Sequence, residues 1–173
     1  MDVTEYRSRL AAASARIREL EDVEQIRALN RTYLRNLADR RWGAMLDDFT
    51  ADAVVSIRSH GERRGREELA ALFGAMHAAG SPPDAYLLTS PVVTVSGDEG
   101  EAAWTWHRHF TELPVMGGAV RITGPWWEGR YRCGYRRDGE RWRFSAMHFR
   151  LVAPEGDADV DAVLGVHPKG VLR

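Results

Sequence analysis

Residues 4–41 contain neither proline nor glycine, and apolar side chains recur along this segment at steps of three and four residues. That spacing puts them on one face of an α-helix and predicts one amphipathic helix, or two helices that meet near Glu21. The first part, as far as Leu20, has a narrow apolar stripe that could pack on a neighbouring subunit. The apolar positions are Leu10, Ala13, Ile17, Leu20, Val23, Ile26, Leu29, Tyr33 and Leu37.

Turn signals divide the rest of the chain into further helices and then strands. Residues 41–49 predict a short helix, residues 53–57 a strand, and the segment after Gly65 a third helix that ends at Gly80-Ser81-Pro82-Pro83. Four β-like runs follow, and Asp138-Gly139 is a strong hairpin signal between the last two. Helices followed by antiparallel strands indicate an α+β fold, with a curved sheet wrapped around the N-terminal helices. The four runs are 87–96, 101–113, 126–137 and 141–152.

The charge balance argues against two classes of partner. The chain carries 24 Lys+Arg against 25 Asp+Glu, a net charge of -1, so no bulk electrostatic attraction to nucleic acid or an anionic membrane is expected. The single cysteine, Cys133, excludes an intrachain disulfide and a cysteine-based metal cluster. The sequence has no apolar signal core and no run of about 18 apolar residues. A soluble cytoplasmic protein is expected.

Two stretches carry a family resemblance. LEDVEQIRALNRTYLRNLADRRWGAMLDDFTADAVV, residues 20–55, resembles the opening of SnoaL-like proteins of the nuclear transport factor two superfamily, and GRYRCGYRRDGERWRF, residues 129–144, resembles their last hairpin. The resemblance implies an α+β cone with a deep pocket between the helices and the sheet. It also implies three parts: an N-terminal helical extension (1–20), the cone domain (20–152) and a C-terminal tail or lid (153–173). The superfamily contains dehydratases, polyketide cyclases, ketosteroid isomerases, epoxide hydrolases and binding-only members, so fold does not fix function.

The resemblance also assigns candidate site residues. Tyr33 matches a tyrosine of the first helix in dehydratase-like relatives, whereas Ala38 stands where those relatives keep an aspartate. Tyr86 stands where they keep a histidine at the start of a strand. Tyr33 and Tyr86 are therefore expected to point into the pocket and to act as hydrogen-bond donors, since an unperturbed tyrosine pKa lies near 10.

Two histidines raise a question of strand parity. His107 and His109 share one strand face, and Trp104, Trp106 and Arg108 share the other. If the tryptophan face lines the pocket, the histidines lie on the convex side or at a subunit interface. If the parity is opposite, either histidine is a natural general base. A metal site is disfavoured because no third ligand has a convincing spacing.

The same question arises in the next strand. Hydrophobicity favours burial of the face with Tyr131 and Cys133, but the resemblance places Arg130, and with it Glu128, toward the pocket. An enclosed Glu128 would have a raised pKa and could shuttle a proton, while an exposed Glu128–Arg130 ion pair is the structural alternative. His148 continues the alternation of a core strand and is expected in the core or the pocket. The expected substrate-binding residues are Trp42, Phe49, Phe73, Trp106, Arg130 and Met147.

The resemblance, taken with these features, implies a cofactor-independent, metal-free enzyme of small-molecule metabolism, and secondary metabolism is expected. It would use acid–base catalysis in an apolar pocket for cyclisation, elimination or isomerisation of a polyketide- or terpenoid-like substrate. Two alternatives stay open: a non-catalytic ligand-binding or scaffold protein of the same fold, and an epoxide-opening cyclase. The expected partners are a small apolar or aromatic substrate and further copies of the chain, as a dimer or trimer. The catalytic candidates are Tyr33, Tyr86, His107, His109 and Glu128.

Overall fold

Three helices and six strands make up the fold, in a computed structural model that describes residues 2–57, 61–78, 84–110 and 126–152. The predicted tail, 153–173, lies outside the described residues. The helices are α1 (Val3–Ala38), α2 (Trp42–Leu46) and α3 (Gly65–Ala78). The strands are β1 (Phe49–Ile57), β2 (Glu62–Arg64), β3 (Asp84–Ser96), β4 (Glu99–Phe110), β5 (Trp126–Asp138) and β6 (Arg141–Leu151).

The six strands form one mixed sheet in the order β2-β1-β6-β5-β4-β3. Four of its five strand pairs are antiparallel, as expected, while β1 and β6 pair in parallel. The sheet is curved and does not close on itself. The predicted α+β fold, with N-terminal helices against a curved sheet, is confirmed. The predicted hairpin between β5 and β6 turns at Gly139, whose φ of 64° favours glycine.

The first helix is continuous, so the single helix is observed, and not the alternative of two helices that meet near Glu21. Its second half packs on the inner face of the sheet and buries Ile26, Tyr33 and Leu37. This packed half begins at Asp22, whose Oδ1 accepts hydrogen bonds from Trp142 Nε1 at 3.1 Å and from Arg137 Nη2 at 2.5 Å. None of the described helices is long and apolar enough to cross a membrane.

Tyr33 lies at the centre of the contact between α1 and the sheet. Its ring makes edge contacts with Phe144 at 5.3 Å, Phe49 at 6.0 Å and Tyr131 at 6.4 Å between centroids. These rings come from α1, β1, β5 and β6, so their packing ties four elements into one core. Aromatic edge contacts of this kind add about 0.5–1.5 kcal/mol each beyond area burial.

A β-bulge decides which residues of β6 face inward. The register of β5 and β6 shifts between Gly134 and Tyr135, and one extra residue of β6 is accommodated there. Phe144 on one side of the bulge and Met147 on the other are therefore both buried on the inner face. His148 is exposed on the outer face, so its predicted place in the core or pocket is wrong. Simple alternation from Phe144 fails because the bulge reverses the parity.

Gly129 permits close packing of aromatic rings on the inner face. A Cβ atom at this position would lie 2.5 Å from Cε2 of Phe149 and 3.0 Å from Cε3 of Trp106. Real Cβ atoms do not approach other atoms so closely, and both rings are themselves buried. The glycine is therefore required by the space that Phe149 and Trp106 occupy.

Gly129→Ala is expected to lower the free energy of unfolding by about 1–3 kcal/mol, because overpacking forces buried rings out of their positions. Urea unfolding followed by tryptophan fluorescence would measure the change. Adding Phe149→Leu to this variant should recover part of the loss. Gly74→Ala is the control: no atom lies within 4 Å of the new Cβ, and the helix interior should be stabilised by about 0.5–1 kcal/mol. A neutral Gly129→Ala would contradict the packing argument.

Candidate functional site

An aromatic wall runs across the inner face from β3 to β6. The Tyr86 ring stacks on Trp106 with a centroid distance of 5.8 Å, and Trp106 meets the edge of Phe149 at 5.1 Å. Phe149 in turn contacts Tyr131 at 4.6 Å. Trp106 is buried, whereas Tyr86 is half-buried. The sequence-predicted residues Tyr86 and Trp106 thus form one surface, with a partly accessible phenol at its edge.

Tyr33 lies behind this wall. Its hydroxyl is hydrogen-bonded to that of Tyr131, and burial, followed by the electrostatic effect of Tyr131, raises its pKa well above the ordinary value. Tyr86 is close enough to raise the pKa of Tyr33 further. Tyr33 and Tyr131 are therefore joined by a hydrogen bond, and Tyr86 acts on Tyr33 through its charge alone. A tyrosine with a raised pKa stays protonated at neutral pH, so Tyr33 can act as a donor and not as a base.

A buried arginine, Arg108, lies on the same inner face. It is two residues from Trp106 along β4, is paired in register with Tyr86 and is only 9% exposed. A guanidinium keeps its charge at every physiological pH and has donors but no acceptor. Arg108 and Tyr86 therefore bring a fixed positive charge and a phenol to the edge of the aromatic wall. Sequence reasoning put Arg108 on the tryptophan face but did not select it for the site; the signal was a cation in the middle of an apolar strand face.

The structure does not bring the predicted proton-transfer residues to this face. His107 is half-buried on the outer face, with Nε2 3.2 Å from Oγ1 of Thr89. Glu128 also lies on the outer face, and its Oε1 is 3.8 Å from Nε of Arg130 in a largely exposed ion pair. His109 is paired in register with Ala85 and Trp126, and its side chain lies outside the described residues. The structural alternative for Glu128 and Arg130, a surface ion pair, is the one observed.

The remaining predicted substrate-binding residues are split between two places. Phe49 and Met147 are buried on the inner face, and Phe49 contacts Tyr33 directly. Trp42 and Phe73 stack on each other at 6.4 Å between α2 and α3. Trp42 Nε1 also donates a hydrogen bond to His77 Nδ1 at 3.1 Å. Trp42 is therefore held by contacts between helices.

The outer face of the sheet carries two depressions. One, of about 480 Å³, is lined by residues of β4, β5 and β6, and the other, of about 640 Å³, is lined by residues of all six strands. Within the part of the chain that the structure describes, no three His, Cys, Asp or Glu side chains converge as a metal site would require. Three arginines line the first depression, Arg130, Arg132 and Arg150, and His148 lies among them.

Asn30, Trp104 and Tyr135 form a second polar cluster on the inner face, and their hydrogen bonds are made within the core. Nδ2 of Asn30 donates to the Tyr135 hydroxyl at 2.8 Å, and Nε1 of Trp104 donates to the same oxygen at 3.1 Å. The Tyr135 hydroxyl is also hydrogen-bonded to the Cys133 sulfur, and burial raises the pKa of that thiol to about 12. A thiol with such a pKa is a poor nucleophile at neutral pH. This network is therefore structural.

Tyr135→Phe is expected to lower the free energy of unfolding by about 1–3 kcal/mol, because two buried N–H groups lose their acceptor. Chemical denaturation of Tyr135→Phe, Trp104→Phe and the double variant would form a double-mutant cycle. The two changes should be non-additive by more than about 0.5 kcal/mol, since Trp104→Phe removes one of the stranded donors. Additive losses would show that the hydrogen bond to Trp104 carries no stability.

The carboxyl of Asp48 has a raised pKa, which the local sequence does not predict. Burial is the main cause and raises the pKa of its carboxyl to about 6, against the opposing hydrogen bond from Asn36. Its Oδ2 is buried and has no hydrogen-bond partner in the structure. The backbone carbonyl of Asp48 accepts from the Phe144 N–H at 2.9 Å, which fixes the residue beside β6. Ionisation of Asp48 therefore destabilises the folded state.

The raised pKa of Asp48 predicts how the stability of the protein changes with pH. A folded-state pKa of about 6, above the ordinary 3.8, means that the contribution of Asp48 to stability falls as pH rises from about 4 to 6. Asp48→Asn should therefore stabilise the protein at pH 7.5 by about 1–2 kcal/mol, a value reduced for the partial exposure of the carboxyl. Thermal unfolding at pH 4 to 8 would test this. A stability difference that does not grow with pH would contradict it.

Comparisons with known proteins agree with this fold. The sequence profile described as a SnoaL-like domain matches residues 18–148. No curated protein matches the chain significantly in sequence.

Solved structures of similar fold are numerous. An NTF2-like protein with a cystatin-like fold from Novosphingobium aromaticivorans is 26% identical, with a TM-score of 0.65 over 90% of this chain and 96% of that chain. A provisionally assigned dehydratase of the NTF2-like family from Streptomyces avermitilis is 17% identical, with a TM-score of 0.66 over 79% and 99%. A ketosteroid isomerase-like protein from Erwinia carotovora atroseptica is 18% identical, with a TM-score of 0.62 over 78% and 98%. At such identities the last two show the fold alone.

Proposed function

The chain belongs to the SnoaL-like family, and from this premise we propose that it is a cofactor-independent enzyme acting on a small aromatic substrate that carries a carbonyl or phenol oxygen. The reaction removes a proton from the carbon adjacent to the oxygen-bearing carbon, and it leads to isomerisation, elimination or ring closure. The observation that supports the proposal is the position of Arg108 and Tyr86 at the edge of an aromatic wall.

The polar groups of this wall are donors, and donors stabilise negative charge that develops on oxygen. When a C–H bond next to a carbonyl loses its proton, the electron pair moves onto the oxygen and an enolate forms. The Tyr86 hydroxyl and the Arg108 guanidinium would stabilise that oxyanion, and their partial or full burial would strengthen the effect. The Tyr33 hydroxyl, which is hydrogen-bonded to that of Tyr131, has a raised pKa and stays protonated at neutral pH.

The aromatic rings support a flat, apolar substrate. The half-buried Tyr86 ring stacks on the buried Trp106 with an interplanar angle of 28°, and it offers an aromatic surface beside the charged group. Apolar walls with a few well-placed polar groups are typical of small-molecule sites. A fused aromatic or polyketide-like ketone fits this surface better than a bulky aliphatic terpenoid.

The proton acceptor in this proposal is water or a basic oxygen of the substrate. His107 and Glu128 lie on the other face of the sheet, and the inner face of β3–β6 carries no carboxylate or imidazole among its described side chains. Catalysis would thus come from stabilising the enolate, an effect for which a single well-placed donor contributes about 10²–10³-fold in rate.

The test is exchange of the α-protons of 2-tetralone in D₂O, followed by NMR. The protein should accelerate exchange above the buffer rate, and Tyr86→Phe and Arg108→Gln should each lower this acceleration about 10-fold or more. Arg132→Gln, an arginine substitution on the outer face, is the matched control and should keep the acceleration. Equal exchange with and without the protein would defeat the enzymatic proposal.

A binding-only role is the second candidate, and the outer-face location of His107 and Glu128 favours it together with Ala38 in place of an expected aspartate. Titration with 2-naphthoate, followed by tryptophan fluorescence, separates the two. Saturable binding that Arg108→Gln weakens, without exchange of 2-tetralone, would identify a carrier of aromatic anions. Binding and exchange that are both weakened by Arg108→Gln would support the enzyme.

A further inference from the structure

The first half of α1 exposes an apolar stripe with heptad spacing. Its residues follow one another at steps of three, four, three, four and three, so alternate members occupy the a and d positions of a coiled coil. The five large side chains are each 52–65% exposed, and Ala13 is exposed as well. This seam consists of Val3, Leu10 and Ile17 at a and Tyr6, Ala13 and Leu20 at d.

The seam points away from the domain to which it is attached. At about 100° per residue, its mean direction differs by roughly 160° from that of Ile26, Asn30, Tyr33 and Leu37, the face that α1 buries on the sheet. Because the helix is continuous from Val3 to Ala38, the seam cannot turn onto its own sheet. Two copies could place their seams together at the centre, with the two sheets on opposite outer sides.

The seam also ends where its own domain begins. The next a position is Glu24, which pairs with Arg31 at 2.8 Å on the surface, so the apolar pattern stops after Leu20. Asp22, two residues beyond the seam, is where α1 attaches to Arg137 and Trp142. The exposed stripe is therefore confined to the part of the helix before Asp22, where no side chain of residues 3–20 is buried.

Flanking charges indicate the partner and its direction. In a parallel pair of helices, each g residue lies beside the e residue five positions later in the other copy. Here Asp2 would meet Arg7, and Arg16 would meet Glu21, two pairs of opposite charge. An antiparallel pair would instead bring Arg9 of one copy beside Arg16 of the other.

We propose that residues 3–20 form a parallel two-stranded coiled coil with a second copy of this chain. β-Branched residues at a and leucine at d favour two strands, and Val3, Ile17 and Leu20 follow this preference. Within each helix Arg16 lies 2.7 Å from Glu19, and both side chains are about half exposed. Such an exposed contact is weak and leaves Arg16 able to reach Glu21 of the other copy.

Cysteine crosslinking of the full chain tests the seam directly. In a parallel, in-register pair the two d residues of one layer are adjacent, so Ala13→Cys should form an interchain disulfide in a glutathione redox buffer. Ala15→Cys is the matched control: it is the same substitution at an exposed site two residues away, on the opposite side of the helix. The first should crosslink at least ten times faster than the second. Equal rates would overturn the proposal.

Charge reversal tests the direction and the partner. Arg16→Glu should lower the rate of Ala13→Cys crosslinking several-fold by opposing Glu21 of the other copy, and adding Glu21→Arg should restore it. Light scattering should give twice the 19.5 kDa chain mass for the native protein. A monomer would overturn the proposal. Loss of association in Leu10→Glu without selective crosslinking at position 13 would show that the seam associates in another arrangement, and this would overturn the parallel coiled coil.

Discussion

The contact between the second half of α1 and the concave face of the sheet is the interaction on which the rest of the structure depends. Tyr33 is at its centre and meets rings from β1, β5 and β6. Without the helix, the inner face would expose a continuous aromatic surface that no single sheet can shield from water. The same contact fixes which side of every strand is inside, and it therefore decides which polar residues can belong to a site.

Polar residues on the inner face fall into two groups with different roles. Asn30, Trp104 and Tyr135 satisfy one another deep in the core, where an unpaired donor would be costly. Tyr86 and Arg108 lie farther along β3 and β4, at the edge of the aromatic wall, where a ligand's oxygen could join their hydrogen bonds. Close packing of the wall, which Gly129 allows, gives these two groups a rigid support.

One continuous helix serves two surfaces because its two halves present apolar residues on opposite sides. Beyond Asp22 the helix completes the core of its own domain, and from Val3 to Leu20 its exposed seam is available to another chain. The inferred contact between copies lies outside the aromatic wall, so association and ligand binding would use separate residues. Substitutions in the seam are therefore expected to change association without directly changing the site.

Local patterns in the sequence determined the elements of this protein, whereas tertiary packing decided which faces they present. Helical periodicity predicted α1, and Asp138-Gly139 predicted the last hairpin, because both are set by interactions between near neighbours. Alternation in β4 offered two parities, and packing against α1 turned Trp106 and Arg108 inward and His107 outward.

Non-local effects account for what the sequence could not give. The bulge that turns His148 outward depends on the pairing of two strands, and the raised pKa of Asp48 depends on burial beside Asn36 and β6. For Arg130, the hydrophobic alternation of β5 was the better guide than family resemblance. Burying Tyr131 and Cys133 left Arg130 no place on the inner face, since neighbouring residues of a strand point to opposite sides.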